Sequence, residues 1–474
     1  MKKIYLIFLL LLLSGTSLFS QLSKTHYIPP VTGSTGGSGA GAQSLYISTP
    51  SKTPVNFTVR YAGVIGTTAT SGTPFEINQV DNDNPYEVLI AGAPANNTEP
   101  NYSELYLNPS QVEIPLNKGL IVEADSEIYV SYRFYSSNPN QAAAIVSKGI
   151  SGLGQRFRAG MFKNNPGNGH IGFVSVMATE NNTTINFDLP TARTTTNGTG
   201  DHSITIDKFQ SYIIGNTSSE FSLTGTLVTS DKPIAVNTGS YGTFLLADGQ
   251  DYGMDQIVDA SLVGSEYILL KGQGNDNIEV ALVISDQNDT QININGVFYQ
   301  DLANAGDFSI ITGDKFNADG NLYISTNNPD DKLFVYQGTG RVINQNFPSA
   351  NQAMYFVPPL NCATKGDVDN IPYIDEVAGR SFTDQAIVSF ITKDGATILV
   401  NGSDVTGPPY NASPRLVDGN SDYVTYKVED LSGNVTVEGD DELYVAYEIQ
   451  ITMQQQLDFI PGLQFLQLLN WMLN

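Results

Sequence analysis

An all-β fold of tandem antiparallel β-sandwich-like repeats is the fold class this sequence predicts, and three observations predict it. From about Gln43 to Glu448, short runs alternating Val, Ile, Tyr, Phe and Thr are broken by clusters of Asn, Asp, Gly, Ser and Pro, the punctuation of successive strands and turns. Nowhere in that span do apolar residues hold a helical period over a long window, so helices are expected to be few and short. One phrase also recurs four times: GLIVEADSEIYVSY from Gly119, GTLVTSDKPIAVNTG from Gly225, GNLYISTNNPDDKLFVYQG from Gly320 and GNVTVEGDDELYVAY from Gly433. A repeat of about 100 residues has the size of a β-sandwich domain and exceeds a propeller blade. A single large β-propeller is the alternative architecture.

Taken in order, residues 1–20 read as a secretory signal peptide: Lys2 and Lys3 precede the apolar run Ile4 to Leu13 and the small residues that follow it. The run is too short to cross a bilayer, so no membrane-spanning segment is expected once the signal is removed, and the compartment implied is extracellular or the outer cell surface. Residues 21–42, with GSTGGSGAG from Gly33 to Gly41, have the composition of a flexible linker. Four β units follow at 43–160, 161–245, 246–366 and 367–449. The first is the most divergent, because Arg60 to Ser110 is rich in Pro and Asn and weakly periodic.

In each copy of the phrase a glycine, an alternating strand, an acidic turn and a second strand predict a hairpin with one buried face. A second phrase precedes it: PVNFTV at Pro54, NTTINF at Asn182, NDTQINI at Asn288 and DGATILV at Asp394, where the last three lead from an Asn/Asp/Gly turn into a Thr-bearing strand. In residues 450–474 alternation stops. A Gln/Leu-rich tail with the sole tryptophan, Trp471, takes over; its spacing after Gly462 fits either a short amphipathic helix or a disrupted frame or truncation.

Charge and cysteine use narrow the function classes. Lys and Arg number 23 against 48 Asp and Glu, a formal net charge of −25 spread along the chain, which disfavours nucleic acid and anionic membranes as partners. Cys362 is the single cysteine, so no disulfide framework holds this exported chain, and burial must do so instead. Glycosidase chemistry needs only two carboxylates and stays formally open, but there is no GxSxG, HExxH or paired-cysteine motif, and His26, His170 and His202 are the only histidines.

At the second unit the residues SVMATENNTTI (Ser175 to Ile185) and TGTLVTSDKPIAV (Thr224 to Val236) resemble the IgGFc-binding protein N-terminal domain family. The resemblance continues through DQIVDASLVGSEYILLKGQG (Asp255 to Gly274) and VPPLNC (Val357 to Cys362), and covers roughly Thr53 to Glu448. It implies an extracellular recognition module without catalytic residues, of the kind found in secreted surface proteins of gliding bacteria. It names no ligand. The cysteine-rich domains that flank the animal member are missing here, so Fc binding is not carried over.

The expected function is therefore a non-enzymatic binding or adhesion module for an extracellular protein or glycan, with a structural or assembly component of a surface layer or motility machinery as the alternative. Recognition is expected in loops at the sandwich ends, through Tyr86 and Tyr102 in the stretch from Asp81, and through Asp251 and Tyr252 in the Phe244 to Asp255 segment read as joining two units. No motif requires a cofactor. Calcium is the ion the acidic loops would accept, at Asp81 and Asp83, at Asp330 and Asp331, and at Asp440 and Asp441, none of them in EF-hand spacing.

Overall fold

Strands form where the alternating runs predict them, and among the described residues there are three short 3-10 turns and no α-helix. The computed structural model describes residues 21–450 and 464–469, apart from 35–39, 93–100, 137–141, 164–168, 191–200, 218–220, 222, 244–250, 345–346, 361–367 and 382–385. Residues 1–20, read from sequence as a signal peptide, Cys362 and most of the tail, Trp471 included, lie outside the described residues.

One seven-strand unit occurs four times. In the first, Pro74–Val80, Val55–Tyr61, the leading half of Leu120–Ser136 and Ser23–Ile28 form one sheet; Tyr86–Ala91, Ala40–Ser48, the trailing half of Leu120–Ser136 and Ala142–Val146 form the other. The same order recurs in the second unit around Leu227–Thr243, in the third around Asn321–Thr326 and Leu333–Asn344, and in the fourth around Val435–Gly439 and Leu443–Gln450. Facing residues of the two sheets make the core. In the first unit Phe57, Val59 and Val122 meet Leu45, Val130 and Phe134.

The repeated phrase is thus the sixth strand of each unit, and it is not the expected hairpin. Residues 120–124 pair with Val55–Tyr61 in one sheet, and residues 129–136 pair with Ala40–Ser48 in the other. The acidic residues between, Asp125 to Glu127, are exposed where the strand passes from sheet to sheet. A strand that switches sheets turns the corner of a sandwich and leaves its middle wet, which gives the polar interruption that reads as a turn. The second phrase is the third strand of each unit.

Pairing also moves the boundaries. Part of the expected linker is the strand Ser23–Ile28, held in place because His26 and Ile28 are buried against Leu120–Ser136. The units run 23–146, 153–257, 266–357 and 368–469, each opening on a strand that pairs back to the sixth. In the tail, Gln464–Leu469 is a strand antiparallel to Leu443–Gln450, not a helix, and completes the seventh position of the fourth unit.

Neighbouring units share buried contacts. Asn237 of the second donates to Pro29 O of the first (2.7 Å), Arg158 of the second to Asp286 of the third (2.9 Å), and Thr425 of the fourth to Asn321 of the third (2.8 Å). Arg133 of the first unit is 1% exposed and donates to the carbonyls of Pro372, Tyr373 and Glu376 in the fourth. The four units therefore close a ring, with their seventh strands adjoining in cyclic order. It is not a closed β-propeller, since each repeat is a sandwich of two sheets and not a single-sheet blade.

Candidate ligand-binding groove on the first unit

Alternation in Val55–Tyr61 sends Val55, Phe57 and Val59 into the core, and the strand ends with Tyr61 half-buried at the rim. Its ring stacks on Phe75 of the next strand, centroids 4.5 Å apart. Across from this pair stand Leu89, Ile90 and Ala91 of Tyr86–Ala91, and Leu120 lies between. Asn101, Tyr102, Ser103 and Glu104 complete a groove of about 440 Å³, within the size range of ligand sites.

The segment that carries Tyr102 is fixed from beneath. Ser103 Oγ accepts from the backbone N–H of Leu105 and Tyr106 (both 3.0 Å) and donates to the buried Gln43 Oε1 (2.6 Å), which also accepts from Tyr132 (2.8 Å). Asn101 N–H donates to Ala40 O (2.7 Å) and its side-chain amide to Gly92 O (2.6 Å). Glu104 pairs with Lys118 at 2.6 Å. Tyr102 is 41% exposed and Leu89 63%, so two large apolar surfaces face solvent from a preorganised wall.

The structure brings two of the four expected contact residues into one chain of rings. Tyr102 stacks on Tyr106 (6.1 Å), which meets Phe134 (5.7 Å), then Tyr252 (5.0 Å), Tyr241 (4.7 Å) and His170 (4.8 Å). Tyr102 is the surface end of that chain. Tyr252 is 1% exposed, and burial beside Tyr241 and Tyr106 holds its phenol well above the ordinary range. Asp251 is also buried, its carboxylate accepting from the N–H groups of Ala142 and Tyr252 (both 2.8 Å).

The expectation that Asp251 and Tyr252 sit in a surface loop is therefore corrected: Asp251–Ile257 is the seventh strand of the second unit, enclosed between neighbours. Tyr86 opens the groove-wall strand but turns its ring onto Phe57 (5.7 Å), and burial together with nearby Glu76 raises its phenol pKa. Tyr61, Phe75 and Leu89 were not singled out from sequence, because in a strand pattern they look like core positions. Their signal is position: each lies on a strand at, or next to, an open sheet edge.

The acidic loops occupy separate places. Asp81 Oδ1 accepts from the N–H groups of Asp83 (3.0 Å) and Asn84 (2.9 Å) and holds its own turn. Asp331 accepts from the Asn328 amide (2.9 Å) and the Asp330 N–H donates to Asn328, while Asp440 accepts from Thr397 N–H and Asp441 from Glu442 N–H (both 2.8 Å). Among the described residues no three His, Cys, Asp or Glu side chains gather in a way that could hold a metal ion.

The family model described as IgGFc binding protein matches residues 142–447, from the seventh strand of the first unit into the last long strand of the fourth. No curated protein matches the chain. The groove lies ahead of the matched residues, on a unit that repeats their topology. With well over half of the chain matched, it belongs to the IgGFc binding protein family.

Proposed function

We propose that this chain is a non-enzymatic extracellular binding module and that its ligand, a protein or glycan outside the cell, docks at the groove of the first unit. One observation carries the reading: Tyr102 is large and exposed yet sits on a segment fixed by Gln43, Ser103 and Tyr132, and Leu89, also exposed, lines the same groove from a strand paired to Ala40–Ser48. Fixed aromatic surface offers contact area at small entropic cost. The family's name, the amino-terminal signal and the absence of a helix long and apolar enough to cross a membrane among the described residues all accord with an extracellular site of action. Fc is one candidate ligand among several, since the groove precedes the matched residues.

The test is a binding panel of immunoglobulin G, mucins, glycan arrays and cell-surface extracts against the full chain and its Tyr61→Ala/Tyr102→Ala variant. The ligand found should bind the variant more than tenfold more weakly, about 1.4 kcal/mol, while the variant still unfolds in one cooperative transition. Equal affinity for a folded variant moves the site elsewhere. Concentration-dependent self-assembly with no ligand in any arm would favour the structural role instead.

A further inference from the structure

The fifth strand of each unit lies at the outer side of its sheet; backbone hydrogen bonds cover it in the second unit, a short paired strand covers it in the fourth, and a ring contact meets it in the third. Along Ser211–Asn216 of the second unit run residues of the first: Glu113 N–H donates to Ile213 O (2.7 Å), and Leu116 and Ser211 exchange two N–H to carbonyl bonds of 2.9 Å. All six residues of that strand are buried. In the third unit Phe308 packs on Phe221 of the second, 5.3 Å between centroids. In the fourth, Arg415–Leu416 pairs with Tyr423–Leu431, and Asn317 and Asn321 of the third unit donate to the Leu416 carbonyl (2.9 and 2.8 Å).

The first unit differs. Of Tyr86–Ala91 only Val88 is buried, and among the described residues the strand makes no backbone hydrogen bond beyond those to Ala40–Ser48. Its predecessor in the ring is the fourth unit, where residues 432–434 are all that connect the fifth strand to the sixth. The equivalent connection in the first unit, which reaches the second, runs 92–119. Among the described residues, 432–434 give no backbone hydrogen bond to Tyr86–Ala91; the fourth unit meets the segment just ahead of that strand, where Tyr373 donates its hydroxyl to Pro85 O (3.4 Å).

We propose that the open edge of Tyr86–Ala91 takes up an extended peptide segment of a partner protein, which adds a strand to the first unit's sheet and places alternate apolar side chains in the adjoining groove. The proposal rests on the groove being the ligand site and specifies the form of the ligand. An exposed edge is a template for strand addition, where backbone bonds give affinity and side-chain pockets give selectivity. The chain itself shows that such an edge accepts backbone bonds from a mainly apolar segment: Glu113-Ile114-Pro115-Leu116 bonds the second unit's edge through the backbones of Glu113, in a left-handed turn, and Leu116, in an isolated bridge. Tyr61, Phe75, Leu89 and Tyr102 supply apolar walls; Glu104, paired with Lys118, lines the groove, and Glu76 acts on Tyr86 at the start of the strand, in a chain of net charge −25. A partner segment with apolar alternation and Lys or Arg flanks fits that field; an acidic one does not.

Random peptides displayed on phage, selected against the full chain, test this. The selected peptides should alternate apolar residues between basic flanks and slow hydrogen exchange of the 86–91 amides. They should bind Leu89→Lys more than tenfold more weakly at an unchanged melting temperature, since that side chain is exposed. Failure to select any peptide, selected peptides that ignore Leu89→Lys, or exchange at 86–91 unchanged on binding would each overturn the proposal. Leu89-dependent dimerisation of the chain would also overturn it, by making a second copy the occupant. If a panel ligand is lost with Tyr61→Ala/Tyr102→Ala while 86–91 stays unprotected, the groove reading survives and strand addition falls. If neither responds, both fall.

Discussion

Arg133 shows how one side chain joins distant parts of this chain. Its guanidinium donates to Pro372 O (2.9 Å), Tyr373 O (2.8 Å), Glu376 O (3.0 Å) and Tyr447 OH (2.9 Å), and lies 4.1 Å from the centre of the Tyr46 ring. A planar fork of donors suits a cage of carbonyls as an ammonium cannot. Arg133→Ala should cost about 3 kcal/mol in denaturant unfolding, because it strands buried carbonyls, and Arg133→Lys should recover only part of that. His26 carries a pH dependence. Its Nδ1 lies 2.9 Å from Ser147 Oγ and its Nε2 2.9 Å from Ile128 O, and burial lowers its pKa from 6.5 to about 4. The unfolded chain therefore binds the proton first as pH falls. Stability from this residue is complete above about pH 6.5 and is lost progressively towards pH 4, by roughly 3 kcal/mol in all. Burial lowers His170 to about 4 as well, so the two add. Melting temperature measured from pH 7.5 to 4.5 should fall in this window, and His26→Gln should flatten the fall; a slope that does not change would contradict the assignment.

At the scale of the element, the sixth strand decides the architecture, because its two halves fill the core from opposite sheets. Val122 and Val130 are both buried in one cluster, whereas Ser126 at the crossing is exposed. Val122→Ala and Val130→Ala should each cost about 2 kcal/mol, and Ser126→Ala less than about 0.5 kcal/mol, when unfolding midpoints are compared. The third and sixth strands were legible in the sequence since their alternation repeats; that the sixth crosses between sheets was not, since an exposed acidic corner and an exposed acidic turn have the same composition. The seventh strands were hidden for another reason. In Asp251–Ile257 the residues alternating with Tyr252 and Met254 are Asp251, Gly253 and Asp255, which read as solvent-facing. Asp255 is instead buried against a neighbouring unit, bonded to Lys148 Nζ (3.0 Å) and Phe356 N–H (3.1 Å). Of the groove, Tyr102 could be read from its Asn/Pro-rich loop. Tyr61, Phe75 and Leu89 could not, because an edge position is a property of pairing and leaves no mark in one strand's pattern.

For the whole molecule, repetition and closure are separate facts. The sequence displays four units but says nothing of the last meeting the first, a contact made by Arg133, by Ser48 Oγ to Asn370 O (3.2 Å) and by the Tyr46–Tyr373 ring pair (5.7 Å). Closure matters for the groove, since it sets which unit lies beside the open edge of Tyr86–Ala91. Consecutive units share cores as well: Val174 and Val236 of the second unit sit in one cluster with Leu282 and Phe334 of the third. Small-angle X-ray scattering of the chain from Gln21 onward tests closure most directly. A ring of four packed sandwiches should have the radius of gyration of a compact body of about 450 residues, roughly 22 Å. A radius above about 30 Å, as for four sandwiches strung in a row, would contradict it.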